Sequence, residues 1–276
     1  MLHEKMKRQF FFSISILLSF TMKAQQNDTA LIKLNKVATV YKYQFVHAFE
    51  GNKDTCLLEH KKFNHMLAIT FHRTDMRCNG WNNSEERFFS YVNGQLGILE
   101  IRRDNLPYAK SFFKYDDSND PIQIITHYSE KNDTLVSSNE FYRNSKNKLD
   151  SSIAKRENNS GQQSLIKNVY RYDRKKNLVQ EYTTDEDGTP LSMVSYERMT
   201  DGKMKSRSIT IYGQSPSFKQ IYFEYDQNNR VLSTMDSQNR KQLFFYKQNG
   251  LLNNVYTYNG NGALEVEFLF NYTYHE

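Results

Sequence analysis

The residues best suited to chemistry lie early in the chain. Cys56, His60, His65, His72 and Cys78 follow the spacing Cys-x3-His-x4-His-x6-His-x5-Cys. Thiolate and imidazole are the ligands that zinc prefers, but structural zinc sites use tighter paired spacings than this one. An even pair of cysteines in an exported chain favours a disulfide between Cys56 and Cys78, with free thiols and a metal site as the alternatives. Closing a loop of about 23 residues would stabilise the fold by about 3 kcal/mol in the chain-entropy picture. His47, His60, His65 and His72 also lie near Trp81, so a hydrolytic site, if the chain has one, belongs in this first third. Ordinary strand and loop histidines account for the same cluster. Two acidic runs resemble calcium loops. In Asp185-Glu186-Asp187-Gly188 the fifth, sixth and twelfth positions fall on Thr189, Pro190 and Tyr196, which lack the required glycine and bidentate glutamate. Asp116, Ser118 and Asp120 fail in the same way, and turn chemistry explains both runs. The sequence has no G-x-S-x-G elbow, H-E-x-x-H helix, P-loop or G-x-G-x-x-G turn. It therefore nominates no catalytic residue, no metal ligand and no cofactor.

Aromatic residues are the most distinctive feature, with 19 Tyr and 19 Phe. Tyr115, Tyr172, Tyr196, Tyr225, Tyr246 and Tyr258 are the candidate ligand contacts, since exposed rings can stack on sugars. The competing role is packing in a core and in cross-strand pairs.

These tyrosines recur in a phrase of aromatic or Val, any residue, then Tyr. Copies stand at Phe89-Tyr91, Phe113-Tyr115, Tyr170-Tyr172, Val194-Tyr196, Phe223-Tyr225, Phe244-Tyr246 and Tyr256-Tyr258, with a degenerate one at Phe141-Tyr142. Residues i and i+2 of a strand share a face, so each copy puts two large side chains on one side of the sheet. A polar turn follows nearly every copy, as in Asp173-Arg174-Lys175-Lys176-Asn177 and Asp226-Gln227-Asn228-Asn229-Arg230. Asp or Asn opens the turn and bonds the backbone ahead; Gly or Asn near its end accepts positive φ. Turn signals arrive every 10 to 12 residues, between runs rich in Tyr, Phe, Ile, Val and Thr. The expected fold is all-β: a long curved antiparallel meander built from hairpin repeats. Leu31 to Tyr43 opens as helix or strand and reads as strand beyond Val37. His65 to Arg73 reads as a strand, Asn79-Gly80 as a hairpin turn, and Asn144 to Gly161 as a loose connection. An outer-membrane barrel is the rival architecture, but it needs strands of about 9–11 residues and a lipid-facing apolar band. Segments such as Lys219 to Tyr225 are shorter, and the mean hydropathy is −0.78.

The N-terminus reads as a secretory leader. Lys5, Lys7 and Arg8 precede the apolar run Phe10 to Phe20, and cleavage is expected after Ala24. No later stretch is long enough for a transmembrane helix. Without the leader the formal charge falls from +6 to +3, and the basic residues are dispersed, so nucleic acid is not an expected partner.

Tyr170-Arg171-Tyr172-Asp173 with Asn177-Leu178, and Phe223-Glu224-Tyr225-Asp226 with Asn229-Arg230-Val231, resemble the YD repeats of Rhs-like secreted proteins. Those run Tyr-x-Tyr-Asp, two residues, Gly-Arg-Leu. Here Asn stands for Gly at Asn177 and Asn229, and Asp is missing after Tyr91, Tyr196 and Tyr246. The resemblance spans residues 85 to 270 and implies a wound β shell with roles in carbohydrate contact or in enclosing a toxin. The expected organisation is a leader at 1–24, an irregular β-rich segment at 25–84 and a YD-like repeat region at 85–276. The expected role is that of an exported, non-catalytic binding or structural module, periplasmic, outer-membrane-associated or extracellular, with a glycan or an envelope protein as ligand. A secreted hydrolase and an immunity protein against a secreted toxin are the alternatives.

Overall fold

The computed structural model describes residues 30–47, 53–66, 68–75, 83–117, 119–130, 133–157 and 163–276. The leader, Asn79-Gly80, Trp81 and Cys78 lie outside these residues. A short helical turn at 30–34 precedes the first strand, so the ambiguous start is helix and the strand begins at Val37. Eighteen strands follow: β1 (Val37–His47), β2 (Lys53–Phe63), β3 (Ile69–Asp75), β4 (Ser84–Val92), β5 (Gln95–Arg103), β6 (Leu106–Tyr115), β7 (Pro121–Glu130), β8 (Asp133–Arg143) and β9 (Leu149–Glu157). The second half comprises β10 (Gln163–Tyr172), β11 (Leu178–Thr184), β12 (Pro190–Arg198), β13 (Met204–Ile211), β14 (Ser217–Tyr225), β15 (Val231–Asp236), β16 (Lys241–Tyr246), β17 (Leu252–Tyr258) and β18 (Leu264–Tyr274).

Each strand pairs antiparallel with its sequence neighbours, for example β9 with β10 and β13 with β14. β1 then pairs with β18 from Val37↔Tyr274 to Val46↔Val266. The expected meander therefore closes on itself as an 18-stranded up-and-down barrel, and residues 37–75 supply three strands of the same ring. Closure leaves no unpaired strand edge. The sequence could not reveal it, because Tyr41 and Asn271 carry no mark of being neighbours.

The repeat unit has a fixed turn. At Asp173 the backbone N–H donates to the Asn177 carbonyl (2.9 Å), the Lys176 N–H donates to the Asp173 carbonyl (3.0 Å), and the Asn177 N–H donates to Asp173 Oδ1 (2.7 Å). This is a type I turn closed by a bulge whose residue needs positive φ. Asn64, Asp116, Asn144, Asp185, Asp226, Asp236 and Asn259 build the same side-chain clamp, each accepting the N–H four residues on. Positive φ falls on the fourth turn residue, as at Asn119, Asn229 and Gly262. In the Asp173 turn that residue is Lys176, with φ 66°, so the glycine position of the repeat is Lys176 and not Asn177.

A second recurring bond ties each turn to the adjacent strand. The hydroxyls of Tyr91, Tyr115, Tyr172, Tyr225, Tyr246 and Tyr272 donate to the carbonyls of Ile69, Leu96, Leu149, Met204, Val231 and Leu252, at 2.7 to 2.9 Å. Each accepting residue opens the strand, or sits one residue into it, beside the strand that the Tyr ends. Arg143 and Arg198 replace this Tyr at the ends of β8 and β12 and bond their own turn carbonyls, Asn147 and Gly202.

The cross-strand pairs sort the side chains into two faces. Ala109, Ser111, Ile124, Thr126, Ser152, Ala154, Asn168, Ser192, Val194 and Val255 share one face and are buried. Phe112, Tyr142, Phe218, Tyr222, Met235 and Phe245 share the other and are exposed. The face of small buried side chains is the concave inner wall. Its large rings, such as Phe89, Phe113, Phe223 and Phe268, are only half-buried, and the largest fully buried side chain is Val37. Among the described residues, every substantial contact between strands joins ring neighbours. The wall therefore surrounds a lumen, as expected when 16–18 strands close a ring that side chains cannot fill.

Asn144 to Gly161 is not a loose connection, because β9 runs through it. Ser152 and Ala154 face inward, and Ser151 and Ile153 outward. The buried inner positions are filled by small residues and the outer ones by Ser151 and Ile153, so the strand lacks the apolar alternation that marks a half-buried one. The outer face carries ion pairs in its strands, Lys110–Glu100, Arg73–Glu86 and Lys205–Glu197. β15 and β16 have six residues each. Twelve of the strands have 9–11 residues, β14 among them, so the outer face combines barrel-length strands, these ion pairs and the exposed rings of Phe112, Phe218 and Tyr222.

Candidate functional site on the lumen wall

The inner wall is built of cross-strand rows of hydroxyls, amides and charges. Ser111 Oγ lies 2.9 Å from Thr126 Oγ1. Asn168 donates to Ser152 Oγ (3.2 Å) and accepts from Thr183 Oγ1 (2.8 Å). Thr234, Gln242 and Thr257 form a further row, with Gln242 donating to Thr257 at 3.2 Å. Small polar side chains keep the concave wall uncrowded, and the ladder satisfies groups that would otherwise be buried without partners.

Charges concentrate on β1–β5. Glu59 accepts from Lys42 at 3.1 Å and Lys61 at 3.0 Å, and His72 Nε2 lies 3.5 Å away. Burial alone would raise the Glu59 carboxyl, but the His72 hydrogen bond and the Lys61 and Lys42 charges outweigh it and hold it far below the usual carboxylate range. Burial pushes His72 below the ordinary imidazole value, against the pull of Glu59. Glu85 binds Arg87 at 2.6 Å and Arg103 at 3.2 Å. A second cluster lies on β10–β13, where Tyr196 donates to Glu181 at 2.6 Å and the buried Arg207 sits beside both. Burial, then the Glu181 charge, raises the Tyr196 phenol well above its ordinary value. Next to it a cavity of about 410 Å³ opens between two turns, lined by Asp173, Lys175, Tyr196, Arg198 and Gly202.

The nominated tyrosines take three positions. Tyr115, Tyr172, Tyr225 and Tyr246 commit their hydroxyls to backbone carbonyls, Tyr196 lies on the wall against Glu181, and Tyr258 pairs with Lys241 and Leu264. The early histidines separate. His60 stacks on Tyr41 outside the barrel at 4.6 Å, His72 faces the lumen, and the His65 ring lies 4.6 Å from His275. The His47 side chain lies outside the described residues. No group of three metal-ligating side chains meets among the described residues. Asp185 Oδ1 accepts the N–H groups of Asp187 and Thr189, the turn role expected of it. Cys56 is not a free thiol. The rows on β2–β5 were missed from sequence, although Glu59-x-Lys61 and Glu85-x-Arg87 carry a signal: opposite charges two residues apart share a strand face.

No family model and no curated protein matches the chain. Among solved structures, a porin-like protein from Bacteroides uniformis is similar over 86% of this chain and 98% of its own, at 9% identity and a TM-score of 0.45. The TcdB2-TccC3-Cdc42 structure is similar over 82% of this chain at 10% identity and a TM-score of 0.36. TcdB2-TccC3-TEV gives the same figures. This chain covers only 14% of either of those two.

Proposed function

We propose that this chain is an exported, non-catalytic binding module of the cell envelope, built from YD-like repeats, which takes a glycan on the wall of its lumen. The carrying observation is the Ser152–Asn168–Thr183 ladder with its companion rows. Ser152 and Asn168 are buried and the three members pair with one another, so the ladder gives the wall a polar lining beside the half-buried rings of Phe89, Phe113 and Phe223. Sugars offer hydroxyls that donate and accept and ring faces that stack on aromatics. Export rests on the Lys5 to Ala24 leader, and a Cys56–Cys78 disulfide, which we propose with it, would fit an oxidising compartment.

A glycan array probed with the chain beginning at Gln25 tests the proposal. Binding is expected, and Asn168→Ala and Gln242→Ala should weaken it without unfolding the barrel. Failure to bind any glycan would overturn it, as would hydrolytic activity lost on changing His65 or His72. Native mature protein is expected to start near Gln25.

A further inference from the structure

The lumen wall is not electrically uniform. On β1–β5 one row runs Lys42, Glu59, Thr74, Glu85 and Arg103 in direct register. The next row on the same face runs Lys61, His72 and Arg87. Lys42 and Lys61 share Glu59, and Arg87 and Arg103 share Glu85. Among the described side chains of these rows, four permanent cations thus meet two carboxylates, and each carboxylate keeps a cation if Lys61 and Arg87 are removed. On β11–β13 a single cation, Arg207, sits beside a single carboxylate, Glu181.

Lys61 and Arg87 are also the members of this group most open to the lumen, with side chains 36% and 33% exposed. They stand two strands apart, about 10 Å at the backbone. That backbone spacing suits two charges along one chain. On the flank, Lys42 lies 4.3 Å from the Phe268 ring centroid, which places an aromatic surface on the adjoining strand.

From this arrangement we infer that the wall of β2–β4 binds an acidic glycan, holding anionic groups of neighbouring or alternate sugars at Lys61 and Arg87. The inference rests on the glycan reading above and names its class. Carboxylate and sulfate groups share the required chemistry, and the concave wall concentrates the positive potential that would attract them. His72 stands between the two cations with its Nε2 3.5 Å from Glu59 and 3.3 Å from Thr74 Oγ1, so its role is to hold that carboxylate row in place and not to contact the glycan.

The experiment measures binding of the mature chain to polygalacturonate, its fully methyl-esterified form, dextran sulfate and poly-glutamate by calorimetry at low and moderate salt. Tight, salt-sensitive binding is expected for polygalacturonate, dextran sulfate or both, which assigns carboxylate or sulfate. The Lys61→Gln/Arg87→Gln variant should lose at least about tenfold in affinity, as removal of charge-assisted contacts requires. The outer-face variant Lys110→Gln/Lys155→Gln removes the same charge and should bind like the parent. Glu59→Gln, which raises the local positive charge, should bind more tightly, an effect that a merely structural role would not produce. Equal loss in the outer-face variant would overturn the inference, as would preferential binding of poly-glutamate. Equal binding of the esterified and acid polymers would overturn it while leaving the glycan reading intact; failure of every glycan would end both.

Discussion

The tyrosine that closes each repeat gives a clean measure of what holds the ring together. Tyr225→Phe deletes one oxygen and keeps the ring. It removes the 2.9 Å bond to the Met204 carbonyl, which lies at the start of β13 and is half-buried. A net loss of about 0.5–1.5 kcal/mol is expected for one such bond, toward the upper end where the acceptor stays shielded from water. For a chain of this size that lowers Tm by about 2–4 °C. Tyr172 and Tyr225 end strands four positions apart, so roughly 19 Å separates them and the double variant should be additive. Replacing all six bonded tyrosines would remove about 6 kcal/mol, which approaches the whole stability of an ordinary domain. The matched control is Tyr142→Phe. Its hydroxyl bonds the exposed Glu140 at 2.7 Å and should matter little. Burial holds the Tyr225 phenol above its ordinary value. Its contribution is therefore complete below about pH 10 and is lost as pH rises through the folded value. Thermal melts by circular dichroism at pH 7 and across pH 9–12 report both effects. Equal shifts for Tyr225→Phe and Tyr142→Phe would refute the proposed clasp.

Lys176→Gly should stabilise the barrel by about 0.5–1 kcal/mol in denaturant melts, because a positive φ of 66° suits glycine and strains lysine. Asp236→Ala should cost about 2 kcal/mol, since this buried carboxylate accepts the Gln238 and Arg240 N–H groups and pairs with Lys219. Glu59 and Asp236 both titrate below their ordinary ranges despite burial, which alone would raise them. Their stabilisation is complete above about pH 4.5 and is lost as pH falls through the folded values, so acid unfolding monitored by tryptophan fluorescence should begin below that point. β15 and β16 share three paired positions, Ser233↔Leu243 to Met235↔Lys241, so hydrogen exchange should open this seam before the long β1–β18 ladder. The mature chain should migrate faster on a non-reducing gel than after reduction, if the proposed Cys56–Cys78 bridge closes its loop; identical mobility would sink that bridge.

Local features determined most of the strand map. Asp173 and Asp226 open turns because their carboxylates reach the backbone ahead, a preference that depends on a handful of neighbouring residues. Phe223 and Tyr225 share a face because the period of a strand is two. The sequence also reads as strand beyond Val37 for the same local reason. Features that depend on distant residues were not legible. β9 was obscured because its buried inner positions are taken by Ser152 and Ala154, small residues that leave no apolar alternation to read. In the Asp173 turn the glycine position is Lys176, as the repeat's own spacing of two residues after Asp requires, and the positive φ there bears the count out; Asn229 holds the same place in the Asp226 turn. Closure depends on Tyr43 meeting Leu269, and the lumen rows depend on Glu59, Thr74 and Glu85 standing side by side on three strands. The sequence by itself determined an antiparallel chain of turn-closed hairpins. Only the tertiary structure decided that the chain curls into a ring, because curvature summed over eighteen strands sets which face becomes a lumen and which charges meet inside it.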